Sequence, residues 1–117
     1  TLSEEPLIRG AWLKPGTHLD LVGAYLPSMR EADVEAVTAG RLFVDNRDAA
    51  IGGCGELVDA FMAGKASEET IEGDLYDLVG RDLRRRTAGE ITVHKNVGGG
   101  HLDLMTAEFV AGKLGLM

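Results

Sequence analysis

Two short stretches hold the residues whose types and spacing could do chemistry. In Gly16–Glu31, GTHLDLVGAYLPSMRE, an apolar run ends at Gly23 and is followed by Tyr25, Met29, Arg30 and Glu31. In Ile91–Leu104, ITVHKNVGGGHLDL, a second run is followed by Lys95, Asn96, Gly98, Gly99, Gly100, His101 and Asp103. The Tyr25 phenol could donate a proton or stack on a ring, or could be an amphipathic residue with an apolar body and a wet tip. The Arg30 guanidinium could bind a substrate carboxylate, or pair with the adjacent Glu31 and merely fix the loop. Lys95 and Asn96 place donors at a strand end. Glycines before a helix start can offer backbone N–H groups to an anion or a polar ring substituent, or can simply mark a flexible turn. His101 with Asp103 forms a possible acid/base pair, or His101 is a surface residue at a helix start. His18 and His94 lie inside strand runs and are not spaced as ligands of one metal. No metal site, nucleophile elbow or phosphate-binding P-loop is legible.

Positioning these loops requires strands that end where the loops begin. Pro6 keeps residues 1–10 off helix, and Lys14-Pro15-Gly16 marks a turn after Trp12 and Leu13. His18–Val22 reads as a short strand. Asp33 reads as the N-cap of a helix over Val34–Ala39 closed by Gly40. Leu42–Val44 reads as a second strand, with Asp48 near the next helix start. Ile51, Cys54, Leu57, Val58 and Phe61 recur at three- and four-residue spacing, one face of a helix. Gly52, Gly53 and Gly55 weaken its first turn by roughly 1 kcal/mol each. Ile71, Leu75, Leu78 and Val79 read as a further helical face ended by Gly80. Ile91 to Asn96 gives a third strand, and Leu102, Met105, Phe109 and Val110 line a C-terminal helix. Strands separated by helices imply crossovers, hence a parallel sheet with helices packed on it. Ligands then sit beyond the carboxyl ends of the strands, where the 23–31 and 96–101 loops are expected.

Composition bounds the function. The chain has 117 residues, 44% hydrophobic and 26% charged, enough for one domain with a modest core. A net charge of −7 argues against nucleic acid as a partner. Arg84, Arg85 and Arg86 form the one basic cluster, read as a solvated turn, with an anion contact as the alternative. No apolar run is long enough for a membrane span, and the start is not that of a signal peptide. The single Cys54 excludes an intrachain disulfide and reads as a small buried hydrophobe, so a cytoplasmic setting is expected.

The segment LIRGAWLKPGTHLDLVGAYLPSMRE, followed by VDNRDAAIGGCGEL, GDLYDLVG and ITVHKNVGGGHLDLMTAEFV, resembles the ornithine cyclodeaminase/mu-crystallin family. The resemblance runs over nearly the whole chain in the same order. It implies an α/β fold, the second half of a Rossmann-like parallel sheet with flanking helices, from a dimeric enzyme that binds NAD or NADP. Residues 1–117 would be a partial dinucleotide-binding domain, with 101–117 leading back toward a dimerisation domain and the Gly-rich pyrophosphate loop upstream of Thr1. It implies that Gly23, Ala24, Tyr25, Met29, Asn96, Val97 and Gly98 line the cofactor, and that Arg30 and His101 meet an amino or imino acid substrate. Ornithine cyclodeaminases carry a catalytic Asp where this chain has Tyr25. A tyrosine is no carboxylate base, so the likeness is nearer the ketimine and pyrroline-2-carboxylate reductase branch, with cyclodeamination as an alternative. A second alternative is a non-catalytic ligand-binding or dimerisation module, and the isolated 117 residues are expected to lack turnover.

Overall fold

The computed structural model describes residues 1–116. Four strands, β1 (His18–Leu21), β2 (Arg41–Val44), β3 (Ile71–Gly73) and β4 (Thr92–Lys95), form one parallel sheet in the order β1-β4-β2-β3. The connections carry α1 (Val34–Val37), α2 (Arg47–Ala50), α3 (Gly55–Met62) and α4 (Leu75–Gly80), and α5 (Gly100–Lys113) follows β4. This is the expected Rossmann-like α/β layering.

Register explains the two faces. Leu19 pairs with Val93 and Val93 with Leu42, while Leu21 pairs with Lys95 and Lys95 with Val44. Side chains alternate along a strand, so Leu19, Leu21, Leu42, Val44 and Val93 share one face. That face packs with Val37 of α1 and Leu57 of α3 into the core, which also takes in Cys54 and Ile71. Lys95 has the core parity, the one charged residue on that face of β4. His18, Asp20, Arg41, Phe43, Thr92 and His94 have the other parity.

Local chemistry sets the helix ends. The Asp33 carboxylate accepts from Ala36 N at 2.8 Å and caps α1, which stops at Val37. Asn46 caps α2 by accepting from Ala49 N at 3.0 Å, and Asp48 sits in its first turn as expected. The expected helix from Ile51 begins only at Gly55, because the glycines turn the chain first and Gly52 sits at φ +76°. Its buried stripe is Glu56, Leu57 and Ala60, with Val58 and Phe61 half-buried, so the helix is rotated from the apolar spacing. Ile71 belongs to β3 and not to the following helix. The Asp74 side chain accepts from Tyr76 N and Asp77 N and restarts the chain as α4. α5 forms as expected but opens at Gly100, and Met105, Phe109 and Val110 are exposed on it. The expected strand over 18–22 stops at Leu21, leaving Val22 exposed.

Candidate functional site

Parallel register brings three loop starts together. Asn96 N donates to Leu21 O at 2.8 Å and Asp45 N donates to Lys95 O at 3.2 Å, so the chain leaves β1, β4 and β2 side by side. The 23–31 and 96–101 loops therefore share the carboxyl edge of the sheet, the edge at which doubly wound sheets bind ligands.

The first loop is held from several sides. Glu31 Oε2 accepts from Gly23 N at 2.6 Å and from Ala24 N at 3.3 Å. Ala24 is fully buried, Met29 packs against the core, and Tyr25 stands 51% exposed at the rim. Arg30 and Glu31 do not pair with each other. Arg30 Nε donates to Asp59 on α3 at 2.8 Å, and its terminal nitrogens donate to the carbonyls of Glu4, Pro27 and Ser28. All three nitrogens of that guanidinium are engaged in fixing the loop, though through Asp59 and backbone carbonyls and not through the expected pair with Glu31. Gly55 N donates to Met29 O at 2.8 Å, and a Cβ at Gly55 would lie 2.5 Å from that oxygen. Only glycine lets α3 start this close to the loop.

The second loop begins with a side-chain turn: Asn96 Oδ1 accepts from Gly98 N at 2.7 Å. Gly98 adopts φ +82° and no atom lies near where its side chain would be. Val97 packs against the core. His101 turns toward α4, where its ring stacks on Tyr76 with centroids 6.1 Å apart. Asp103 lies two positions along the same helix and is exposed, and residues at that spacing point away from each other. The possible His101–Asp103 acid/base pair is therefore not formed.

Beneath the loops lies a charged cluster, of which sequence reasoning singled out Lys95 and Glu31 but not Glu56 or Asp45. Lys95 and Glu56 are fully buried, with Lys95 Nζ 3.0 Å from Glu56 Oε1 and 3.4 Å from Glu31 Oε2. The Lys95–Glu56 contact is an ion pair without aligned hydrogen-bond geometry, since neither Glu56 oxygen has a hydrogen-bond partner among the described residues. Asp45 is also fully buried with both carboxylate oxygens unpartnered. Burial first, with the Glu56 carboxylate next, pushes the Cys54 thiol up to about 11. The signal in the sequence was parity: Lys95 sits two residues after the core residue Val93. Glu56 gave none, because a single acid in the first turn of a helix is ordinarily a surface residue.

The arginine cluster lies elsewhere. Arg84, Arg85 and Arg86 line a cavity of about 670 Å³ with Arg41 and Glu72, toward the amino ends of the strands. Arg84 and Arg86 are exposed, while Arg85 donates to Gly16 O at 2.7 Å. Among the described residues no helix is long and apolar enough to cross a membrane, and no group of three or more acidic, His or Cys side chains could hold a metal ion.

The carboxyl edge offers half-buried apolar side chains (Met29, Val97), an exposed phenol and an open backbone patch at Gly98, with the loop's carboxylate turned inward. The sequence pattern of the ornithine cyclodeaminase/mu-crystallin family matches residues 1–115. A Delta(1)-pyrroline-2-carboxylate reductase of Paracoccus denitrificans is 49% identical over 112 residues, 95% of this chain and 35% of that protein. The Thermococcus litoralis Delta(1)-pyrroline-2-carboxylate reductase, solved with NADH and L-proline, superposes with a TM-score of 0.87 at 30% identity, over 98% of this chain and 37% of the other. The iminosuccinate reductase of Paracoccus denitrificans, solved with NAD+, gives 0.80 at 29% identity over 96% of this chain and 34% of the other. The chain thus spans about a third of the length of the relatives it matches. With the match running from Thr1 to Gly115 and the parallel sheet and its carboxyl-edge loops in place, the chain belongs to the ornithine cyclodeaminase/mu-crystallin family.

Proposed function

We propose that this chain is part of a nicotinamide-dependent reductase of cyclic imino acids, contributing the later part of a Rossmann-like domain. The observation that carries the reading is the convergence of the Gly23–Tyr25 and Asn96–Gly98 loops at one carboxyl edge, each loop fixed by its own hydrogen bonds. Gly23, Ala24, Tyr25, Met29, Asn96, Val97 and Gly98 would hold the nicotinamide end of NAD or NADP. When bound, that group supplies a hydride to carbon. The chain's own task is then orientation and the proton. Reducing a C=N bond to an amine needs one proton at nitrogen for each hydride at carbon, and the exposed Tyr25 hydroxyl is the donor proposed. Arg30 keeps the loop in place through Asp59 and the carbonyls. His101 stacks on Tyr76, which leaves its contribution to substrate binding as shape beside the glycine loop. Residues 101–117 would lead on to a dimerisation domain, and the site would lie in the cytoplasm.

The test is a titration of the purified intact protein with NADH and NADPH, followed by turnover of a five-membered cyclic imino acid. Saturable binding of one dinucleotide and its oxidation on adding the imine are expected. Tyr25→Phe should lose about a hundredfold in kcat with dinucleotide binding retained. Absence of both binding and turnover in wild type refutes the reading.

A second reading has its own observation. β1 pairs only with β4 among the described residues, so its outer edge is open. An open edge is a template for pairing with another chain, as a non-catalytic assembly module would require. Concentration-dependent self-association without dinucleotide binding would favour it.

A further inference from the structure

We propose that Glu31 is the positioning residue of this site. Its carboxylate, steadied from below by the buried Lys95–Glu56 pair, fixes the Gly23–Ala24 turn and hence the direction in which Tyr25 leaves the sheet. The inference rests on the imino-acid reductase reading for the meaning of Tyr25, but the clamp itself is read from hydrogen-bond geometry alone.

Three nitrogens converge on one oxygen. Glu31 Oε2 lies 2.6 Å from Gly23 N, 3.3 Å from Ala24 N and 3.4 Å from Lys95 Nζ. Hydrogen bonds from backbone amides to an ionised carboxylate are about twice as strong as neutral ones. The clamp is rigid on its own side as well, since Glu31 O accepts from Leu7 N and Ile8 N, both at 2.8 Å. Position 23 is crowded from the other side too: a Cβ there would lie 1.9 Å from Thr1 N and 2.6 Å from Glu31 Oε1. The ammonium that faces Glu31 cannot move away, because it is fully buried and sits 3.0 Å from Glu56 Oε1. Glu56 belongs to α3, Lys95 ends β4, and Glu31 closes the loop after β1. One line of charge therefore ties three separate elements to the two amides that precede Tyr25.

The distinction from a loop merely stabilised by packing is chemical. A carboxylate accepts from both amides and the ammonium. A carboxamide can still turn its one oxygen to the two amides, but it carries no charge, so those bonds lose their charge-assisted strength and Lys95 loses a counter-ion. Glu31→Gln should therefore loosen the turn while leaving shape and volume almost unchanged.

The experiment is Glu31→Gln in the intact protein, with amide hydrogen exchange followed by NMR and steady-state reduction of a cyclic imino acid by NADH. The amides of Gly23 and Ala24 should exchange about tenfold faster, while those of Val44 and Val93 keep wild-type rates. Misplacing the turn should lower kcat about tenfold with the KM for the imine nearly unchanged, a split that simple loss of folded protein does not produce. Unchanged exchange at Gly23 and Ala24 overturns the proposal. So does faster exchange with kcat and KM both intact, because the clamp then holds a turn the chemistry does not need. Should wild type reduce no cyclic imine, the functional reading fails, and the clamp stands or falls on the exchange rates alone. If Glu31→Gln does not fold, Glu31→Asp keeps the charge but shortens the reach by about one carbon–carbon bond, and the same two amides should report it.

Discussion

Replacing Lys95 with methionine tests the buried charge line most directly. The substitution removes the ammonium and keeps a flexible apolar side chain of similar length. Lys95 and Glu56 are both fully buried, and Glu31 is 14% exposed, so water cannot take over the lost partner. Removing one member of a buried pair leaves the other as an uncompensated charge and costs about 3–5 kcal/mol. Against a total stability of roughly 5–15 kcal/mol for a domain, that is a large fraction. With a urea slope of about 1–3 kcal/mol per molar, the unfolding midpoint should fall by about 2 M. The assay is urea unfolding followed by Trp12 fluorescence and far-ultraviolet circular dichroism together, which also checks that one transition is seen. The partner variant sharpens the test. Lys95→Met with Glu56→Leu removes both charges, and such apolar replacements are often neutral or better, so the double variant should be more stable than Lys95→Met alone. An unfolding free energy for Lys95→Met within about 0.5 kcal/mol of wild type, the range of ordinary surface changes, would refute the reasoning.

Three other outcomes follow from the structure. The Arg41 guanidinium beside Glu72 holds that carboxyl below its ordinary value of 4.5. A depressed carboxylate stabilises above its unfolded value and stops doing so as pH falls through the folded one. The urea midpoint difference between wild type and Glu72→Gln should therefore be constant above about pH 5 and shrink below about pH 4. Cys54 is raised from 9.0 to about 11, so its stabilising effect is present below pH 9 and is lost as pH rises through 11. At pH 8 iodoacetamide should label it at least about a hundredfold more slowly in native than in urea-unfolded protein, and equal rates would place the thiol at the surface. Gly40→Ala would put a Cβ 2.1 Å from Ile91 O, a backbone atom on the chain entering β4. A loss of about 2 kcal/mol or more is expected in the same urea assay, and a wild-type midpoint would mean the two backbones separate freely.

Much of this architecture was legible because particular residues state it twice. β1 alternates His-Leu-Asp-Leu with a glycine two residues beyond its end, and Asp33 precedes an apolar turn as a cap should. β3 was not legible. At three residues it is too short for period two to show, and Ile71 falls in helical register with Leu75 and Leu78. The break was marked only by Asp74, whose capping role depends on backbone N–H groups that a letter string does not display. The loops of the site were legible from Gly23 and Asn96–Gly98, but the partners of Arg30 were not, because Asp59 is brought to it by tertiary packing across 29 positions. The apolar residues of α5 read as a core face, yet composition alone does not say which core, and they do not face this one.

The strand order has a consequence for how the chain reaches its fold. β4, made last, lies between β1 and β2, and its partner residues on β1 are 74 positions away. Closing a loop of that size costs about 4 kcal/mol of chain entropy before any ladder bond returns it. Within this segment β1 and β2 lack their shared partner until residue 95 has emerged, although β2 already pairs with β3. The β1–β4–β2 part of the sheet should therefore close late and cooperatively. Tying the last strand to Glu31 and Glu56 through Lys95 makes the arrival of that strand the event that also completes the site.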